Sequence, residues 1–326
     1  MTVNSIMRVA ALVVAMISCA SAKAQEWPQQ PVRIVVPYVA GGAVDIMARV
    51  LADKLGGRWK QPVVVENRAG ASEIVAATFV KDAPPDGYTL FLATEVGLET
   101  NRYLFSKLSY DPEKDFLPIT RVIEGALIYV VRSDSPITSM QDLMARAKAK
   151  PNTVSYGSSG PGGAIHLATH WLGTVAGNVQ FLHVPYKGSA PTMTDLLAGQ
   201  IDFTAAPLSV VAPFLESKKM RALAVSSPTR LAPLPDVPSF AELGYEKAVS
   251  SFMFGLVGPA RMPAALAKTI ASDVAAVVNE KAFQEKNVDP FGFKVATETP
   301  ESFRAFLAKD NEVQRLRVEA ANVKLD

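Results

Sequence analysis

Cysteine is almost missing: the 326 residues hold one, Cys19, and it falls within the first 24 positions. A chain that loses this segment has no disulfide, no thiolate metal ligand and no cysteine nucleophile. Histidine is scarce too, with three, His166, His170 and His183, which leaves few groups for metal binding or acid–base chemistry near neutral pH. An excess of either charge is also lacking, since 33 Lys+Arg meet 31 Asp+Glu. With no long basic run, the chain offers no electrostatic footprint for nucleic acid or an anionic membrane surface. Past the N-terminus no uncharged apolar stretch approaches the roughly 20 residues that cross a bilayer.

What is present is ordinary globular composition, 49% hydrophobic and 20% charged, in a chain long enough for two lobes with separate cores. Residues 1–24 carry Arg8, an apolar run over 9–17 and small residues ending in Ala22-Lys23-Ala24. That order is a secretory signal peptide cleaved near Ala24, and losing Arg8 and Lys23 evens the charge count. The expectation is an exported, soluble, monomeric protein of the periplasm. A lipid anchor at Cys19 is the rival reading, for which Met16-Ile17-Ser18 is a poor approach.

Strand-like runs at 32–38, 63–66, 88–94, 126–132, 154–158, 181–186, 202–205, 222–226 and 252–257 alternate with helical segments, the pattern of a mostly parallel α/β sheet. Val44, Met47, Ala48, Leu51 and Leu55 recur at helical spacing, as do Ile165, Ala168, Leu172 and Val175. About nine strands exceed one ordinary sheet of five or six. Two α/β lobes are therefore expected, with crossings at 126–132 and 252–259. Lobe one takes 25–124 plus 251–326, and lobe two takes 125–250.

One design occurs twice, a strand entering a Gly-rich turn that opens an amphipathic helix: Ala40-Gly41-Gly42 within 34–49, and residues 157–163 ahead of the helix reaching Leu172. Glycine lets backbone approach a ligand closely, and the first helical N–H groups have no internal partner. Each such terminus favours a negative group by about 0.3–1 kcal/mol, and by up to about 2 when partly buried. Two facing termini are enough to orient a carboxylate between the lobes, with Ser158 and Ser159 as further donors.

Four blocks in order carry a family resemblance: 37–49 with Tyr38, Gly41, Gly42 and Asp45; 65–71 with Asn67 and Gly70; 156–160 followed by His166-Leu167; and 183–188 followed by Asp195. From about Trp27 onward the chain resembles the Bug family, the receptors of tripartite tricarboxylate transporters. The resemblance implies a type II periplasmic binding protein fold, two α/β lobes joined by two crossing strands around a ligand cleft. It implies no cofactor and no metal. The implied ligand is a small carboxylate, such as a di- or tricarboxylate or an aromatic acid, held largely by backbone amides and bridging waters. The implied partner is a two-subunit inner-membrane transporter. By matching position, Tyr38, Ala40, Gly41, Gly42 and Asp45 form the lobe-one wall with Thr94 beside them, and Ser158, Ser159, Gly160 and Gly162 form the lobe-two wall. Asp45 has a second role open to it, capping the free N–H groups of its own helix.

The departures bear on ligand choice. Ser72-Glu73 stands where the family usually has two glycines, Glu95-Val96-Gly97-Leu98 replaces a Gly-Thr-His-like stretch, and His170 replaces an acidic residue. Glu95 near the cleft is expected to repel a second carboxylate, favouring a monocarboxylate or a ligand with a donor at its far end.

Enzyme readings are weaker. His166 and His170 are four apart, but Leu167 takes the place of the glutamate of the metalloprotease pattern. The run 157–161 ends in Pro161 where a nucleophile elbow needs glycine, and no acid is poised to orient His183, so a serine hydrolase is the least favoured alternative. The dinucleotide pattern fails at Ile165, and Lys187 fits a rim contact or a solvated charge. A periplasmic sensor for a two-component system is the main alternative to a transport receptor.

Overall fold

A computed structural model describes residues 27–325. The signal peptide expected over 1–24, with Cys19, lies outside them. The first half runs β1 (Val32–Val36), α1 (Ala43–Trp59), β2 (Val63–Asn67), α2 (Ile74–Lys81) and β3 (Thr89–Ala93), then a π-helical turn at Val96–Thr100 and α3 (Asn101–Leu104). β4 (Phe116–Arg132) leads to α4 (Met140–Ala149), β5 (Ser155–Ser158), α5 (Ala164–Val175), β6 (Leu182–Pro185), α6 (Ser189–Leu197), β7 (Phe203–Pro207), α7 (Leu208–Glu216) and β8 (Met220–Val225). The chain closes with β9 (Ser251–Pro259), α8 (Ala264–Val278), α9 (Lys281–Asn287), β10 (Lys294–Val295) and α10 (Pro300–Ala321).

The strands lie in the order β2-β1-β3-β9-β4-β7-β5-β6, with β8 and β10 also on β4. β1 is parallel to β2 and β3, and β5 to β6 and β7. β4 is antiparallel to all its partners and serves both halves of the sheet. Its stretch from Phe116 to Ala126 pairs with β9, and from Leu127 onward it pairs with β7 and β8. β9 pairs throughout with β3 and the first part of β4. The returning chain reaches it at Ser250, whose N–H and C=O bond Ser226, and the Ser226 hydroxyl in turn accepts the Leu127 N–H. The passages between halves are therefore Leu127 and the Ser226–Ser250 pair, slightly ahead of the 252–259 run read from sequence.

The helical faces read from spacing are buried. Val44, Met47, Ala48, Leu51 and Leu55 of α1 pack on the first half, and Ile165, Ala168 and Leu172 of α5 on the second, with Val175 half-buried at the end. An aromatic stack centres the second half, where Phe203 lies 5.1 Å from Phe181, 5.5 Å from Tyr156 and 6.4 Å from Tyr129. The long α10 packs on β4 and α5, and Val318 and Ala321 join Leu104 and Leu167 in a small apolar cluster that ties the halves together. Among the described residues no helix is long and apolar enough to cross a membrane.

Phe203→Ala removes the centre of that stack. It is expected to cost about 3–5 kcal/mol, read as a lower urea midpoint with an unchanged slope.

Candidate functional site

β1 and β3 are parallel, and three antiparallel pairings separate them from β7 and β5, so β5 runs the opposite way. Helices start at the carboxyl ends of β1 in one half and of β5 in the other. Between the two halves lies a cleft of about 510 Å³, counting space open to solvent. Gly42, Ala43 and Val44 line it at the start of α1, Ala164 and Ile165 at the start of α5, Ser189 at the start of α6 and Pro207 just before α7. None of these four helices has a side-chain cap at its N-cap residue. Their first N–H groups, other than those lost to proline, have no partner within the helix. Leu127, Phe252 and Phe254 supply apolar wall, and Tyr38, Thr94, Glu95 and Ser159 complete the lining without any Lys or Arg.

Of the residues expected at the ligand, Tyr38, Gly42, Thr94 and Ser159 line the cleft, while Ala40, Gly41, Asp45, Ser158, Gly160 and Gly162 do not. Their backbone donors are largely occupied. The Gly41 N–H donates to Asp45 Oδ2 at 2.9 Å, where Arg49 Nε also donates, and Asn67 Nδ2 donates to Asp45 Oδ1. These bonds and the Arg49 charge hold the Asp45 carboxyl below its ordinary range against the opposing effect of burial. The side chain thus ties together the turn before α1 and the end of β2.

The second turn is closed in the same way. The Gly160 N–H donates to Ser158 Oγ at 3.2 Å, and the Gly162 N–H to His166 Nδ1 at 2.8 Å. Ser158 is fully buried, and its hydroxyl meets His183 Nε2 at 2.7 Å. The His183 ring lies flat on His166, with 3.9 Å between centroids. Burial pushes His183 down to about 4 and, with His183 beside it, His166 down to about 3. Both rings are neutral at pH 7. The Ser158–His183 pair is therefore a buried brace for the turn, not a nucleophile facing the cleft. Gly162 has φ +71, and a Cβ there would stand 2.1 Å from Leu104 Cδ1, so only glycine lets this turn seat against the other lobe.

Besides Asp45, three glutamates are buried in lobe one: Glu73, Glu95 and Glu99. Glu73 does not line the cleft. It accepts from Tyr38 Oη at 2.6 Å, Thr94 Oγ1 at 2.5 Å, and the Thr94 and Gly97 N–H groups at 3.4 and 3.2 Å. These four groups satisfy both of its oxygens. Burial raises its pKa while those bonds oppose the rise. Burial and the Glu73 charge push Tyr38 well up, so the phenol keeps its proton and donates it. Ala71, Ser72 and Glu73 all have positive φ, an uncommon run for non-glycine residues. The Glu73 bonds and the Ser72 hydroxyl, which donates to Pro161 O of the other half at 2.9 Å, hold the run in place.

Glu95 does line the cleft, and its bonding is poor. Oε2 accepts the Met253 N–H at 3.3 Å, and buried Oε1 has no partner among the described residues. Burial, reinforced by the charges of Glu73 and Asp310, pushes this carboxyl up to about 7. Sequence reading missed Ser189, Pro207, Leu127, Phe252 and Phe254. The first two carried usable signals, Gly188 ahead of a helical repeat and a proline between a strand and a helix. Among the described residues no three of His, Cys, Asp and Glu are grouped to hold a metal.

A two-lobed α/β body whose uncapped helix starts surround a cleft between lobes has the architecture of the periplasmic binding proteins. The family model for tripartite tricarboxylate transporter family receptors matches residues 47–321, and the chain belongs to that family. It is 40% identical to the UPF0065 protein in the gbd 5′ region of Cupriavidus necator, over 74% of this chain and 72% of the relative. It is 32% identical to BugT of Bordetella pertussis, over 91% of this chain and 90% of that one. Among solved structures, R. palustris Rpa4515 with adipate superposes with a TM-score of 0.88 at 31% identity, covering 92% of this chain and 99% of that one. The periplasmic binding protein BugD gives 0.86, also at 31%, covering 91% and 99%. The chain is thus a solute-binding protein and not an enzyme.

Glu95 gives a pH test. The folded chain holds its proton up to about pH 7, whereas a free glutamic acid releases it near 4.5. Stability linked to that proton is full below about 4.5 and lost as the pH rises through about 7, by about 3.4 kcal/mol at most. Glu95→Gln mimics the protonated group. It is expected to raise Tm at about pH 8 by several degrees, with the gain shrinking several-fold by about pH 5, as followed by circular dichroism.

Proposed function

We propose that this chain is a periplasmic receptor that captures a small carboxylate between its lobes and presents it to a two-subunit inner-membrane transporter of the tripartite type. Lobe one comprises residues 25–124 plus 251–326 and lobe two residues 125–250, with the signal peptide removed near Ala24. The observation that carries this reading is the convergence of uncapped helix starts from both lobes on one cleft that has apolar walls and no basic residue. Backbone N–H groups fixed in a partly buried place bind an anion without the rearrangement a flexible lysine needs. The adipate in Rpa4515 supports the same ligand class.

The ligand bridges both lobes, and its contacts on each favour the closed arrangement. The Ser72–Pro161 bond and the packing of Val39 beside Gly188 join the two halves and add to that closure. Tyr38 and Thr94 face the ligand as parts of the Glu73 network, their protons committed to that carboxylate, and so offer it acceptor lone pairs and shape. Ser159 and Ser189 are the hydroxyl donors that remain.

A thermal-shift screen of adipate, citrate, benzoate and their homologues tests the class, because a ligand at 100 times its Kd stabilises by about 2.7 kcal/mol. Silence across all three types would refute a carboxylate receptor. Ala43→Pro and Ala164→Pro each delete the N–H of the first helical residue, a position where proline is tolerated. Each is expected to weaken the best ligand about tenfold with little change in Tm. Ala164→Val, of similar bulk but with its N–H intact, should weaken it less.

A further inference from the structure

Glu95 stands apart from every other polar group of the cleft, because its needs are unmet by the protein. It is 4% exposed and lines the cavity, its carboxyl draws only on its own N–H and a long bond from the Met253 N–H, and buried Oε1 has no partner among the described residues. Glu73, equally buried, has four donors. A buried carboxyl oxygen without a donor is costly. No cation lines the cleft to answer it, and the nearby Glu73 and Asp310 charges add to its burden. The donor that completes Glu95 must therefore come from outside the chain.

Its position relative to the helix starts follows from the sheet. β1 leads into the α1 turn, β3 lies next to β1, and β9 lies beyond β3. Glu95 follows β3 and reaches Met253 of β9, so it lies on the β9 side, one to two strand spacings or about 5–10 Å from the α1 turn. Phe252 and Phe254 of β9 and Leu127 of β4 line the cavity on the same side. A ligand whose carboxylate sits on the helix starts spans this distance with an apolar body and brings its far end to Glu95.

We propose, building on the carboxylate-receptor reading above, that Glu95 sets ligand choice: the ligand is a carboxylate with an apolar middle and a hydrogen-bond donor, hydroxyl or ammonium, at its far end, and diacids are disfavoured. A donor there completes Glu95. A second carboxylate meets a like charge, and binds only if Glu95 first takes up a proton.

Two matched sets test this by calorimetric titration at about pH 8: hexanoate, 6-hydroxyhexanoate, 6-aminohexanoate and adipate, and benzoate, 4-hydroxybenzoate and terephthalate. In at least one set a donor-ended acid is expected to bind tenfold or more tighter than the diacid. In Glu95→Gln, which is uncharged and carries its own N–H donors, the gap should narrow at least tenfold, mostly through stronger diacid binding. Glu95→Met, similar in length without polar atoms, replaces it if the amide variant does not fold. Diacids binding as tightly as donor-ended acids in the wild type, or a gap unchanged in the variant, overturns the role of Glu95 while leaving the carboxylate receptor intact. Binding of none of the seven overturns both. A preference for 6-aminohexanoate over 6-hydroxyhexanoate identifies charge as what Glu95 recognises, and equal affinities identify the hydrogen bond; both support the proposal.

Discussion

The first turn of a helix carries N–H groups that the helix cannot satisfy itself. A chain can silence them with a serine or threonine cap, as this one does at α4 with Ser139 and at α10 with Thr299, both away from the cleft. At α1, α5, α6 and α7 it does not, and these four, unlike the likewise uncapped α2, α3, α8 and α9, begin at the same cavity. The turns ahead of α1 and α5 are instead tied down by Asp45 on one and by Ser158 and His166 on the other. Rigid turns with open helix starts give the cleft fixed N–H donors without a positively charged side chain.

The same economy governs the acidic side of the cleft. Glu73 is neutralised by donors instead of cations, and in accepting them it fixes Tyr38, Thr94 and the π-helical turn at once. A network that spends the protons of Tyr38 and Thr94 on an internal carboxylate leaves those side chains to shape the cavity more than to hold an anion. The histidines, held neutral by burial, likewise add no charge.

Much of this was legible in the sequence, and the limits were physical. The α/β alternation, the two Gly-rich turns and the apolar faces of α1 and α5 are local patterns, and they appear where periodicity placed them. The occupants of the glycine N–H groups were legible in principle, because Asp45 stands four residues after Gly41 and His166 four after Gly162, the spacing of one helical turn. Leu127, Phe252 and Phe254 were not, since they meet the cleft only through strand order, and β9 joins β3 from the far end of the chain. Glu95 was visible as a departure, but its missing donor depends on Met253, 158 positions away.

β4 carries one further implication. A single seventeen-residue strand belongs to both halves of the sheet, with irregular pairing on either side of the junction at Leu127. A strand resists stretching and sliding, which would break its ladder, and yields most readily in twist. The two lobes therefore share a torsion bar. Neither half can slide along this strand without breaking its pairing with β9 on one side or with β7 and β8 on the other, so any change in the attitude of the lobes passes through the residues around Leu127.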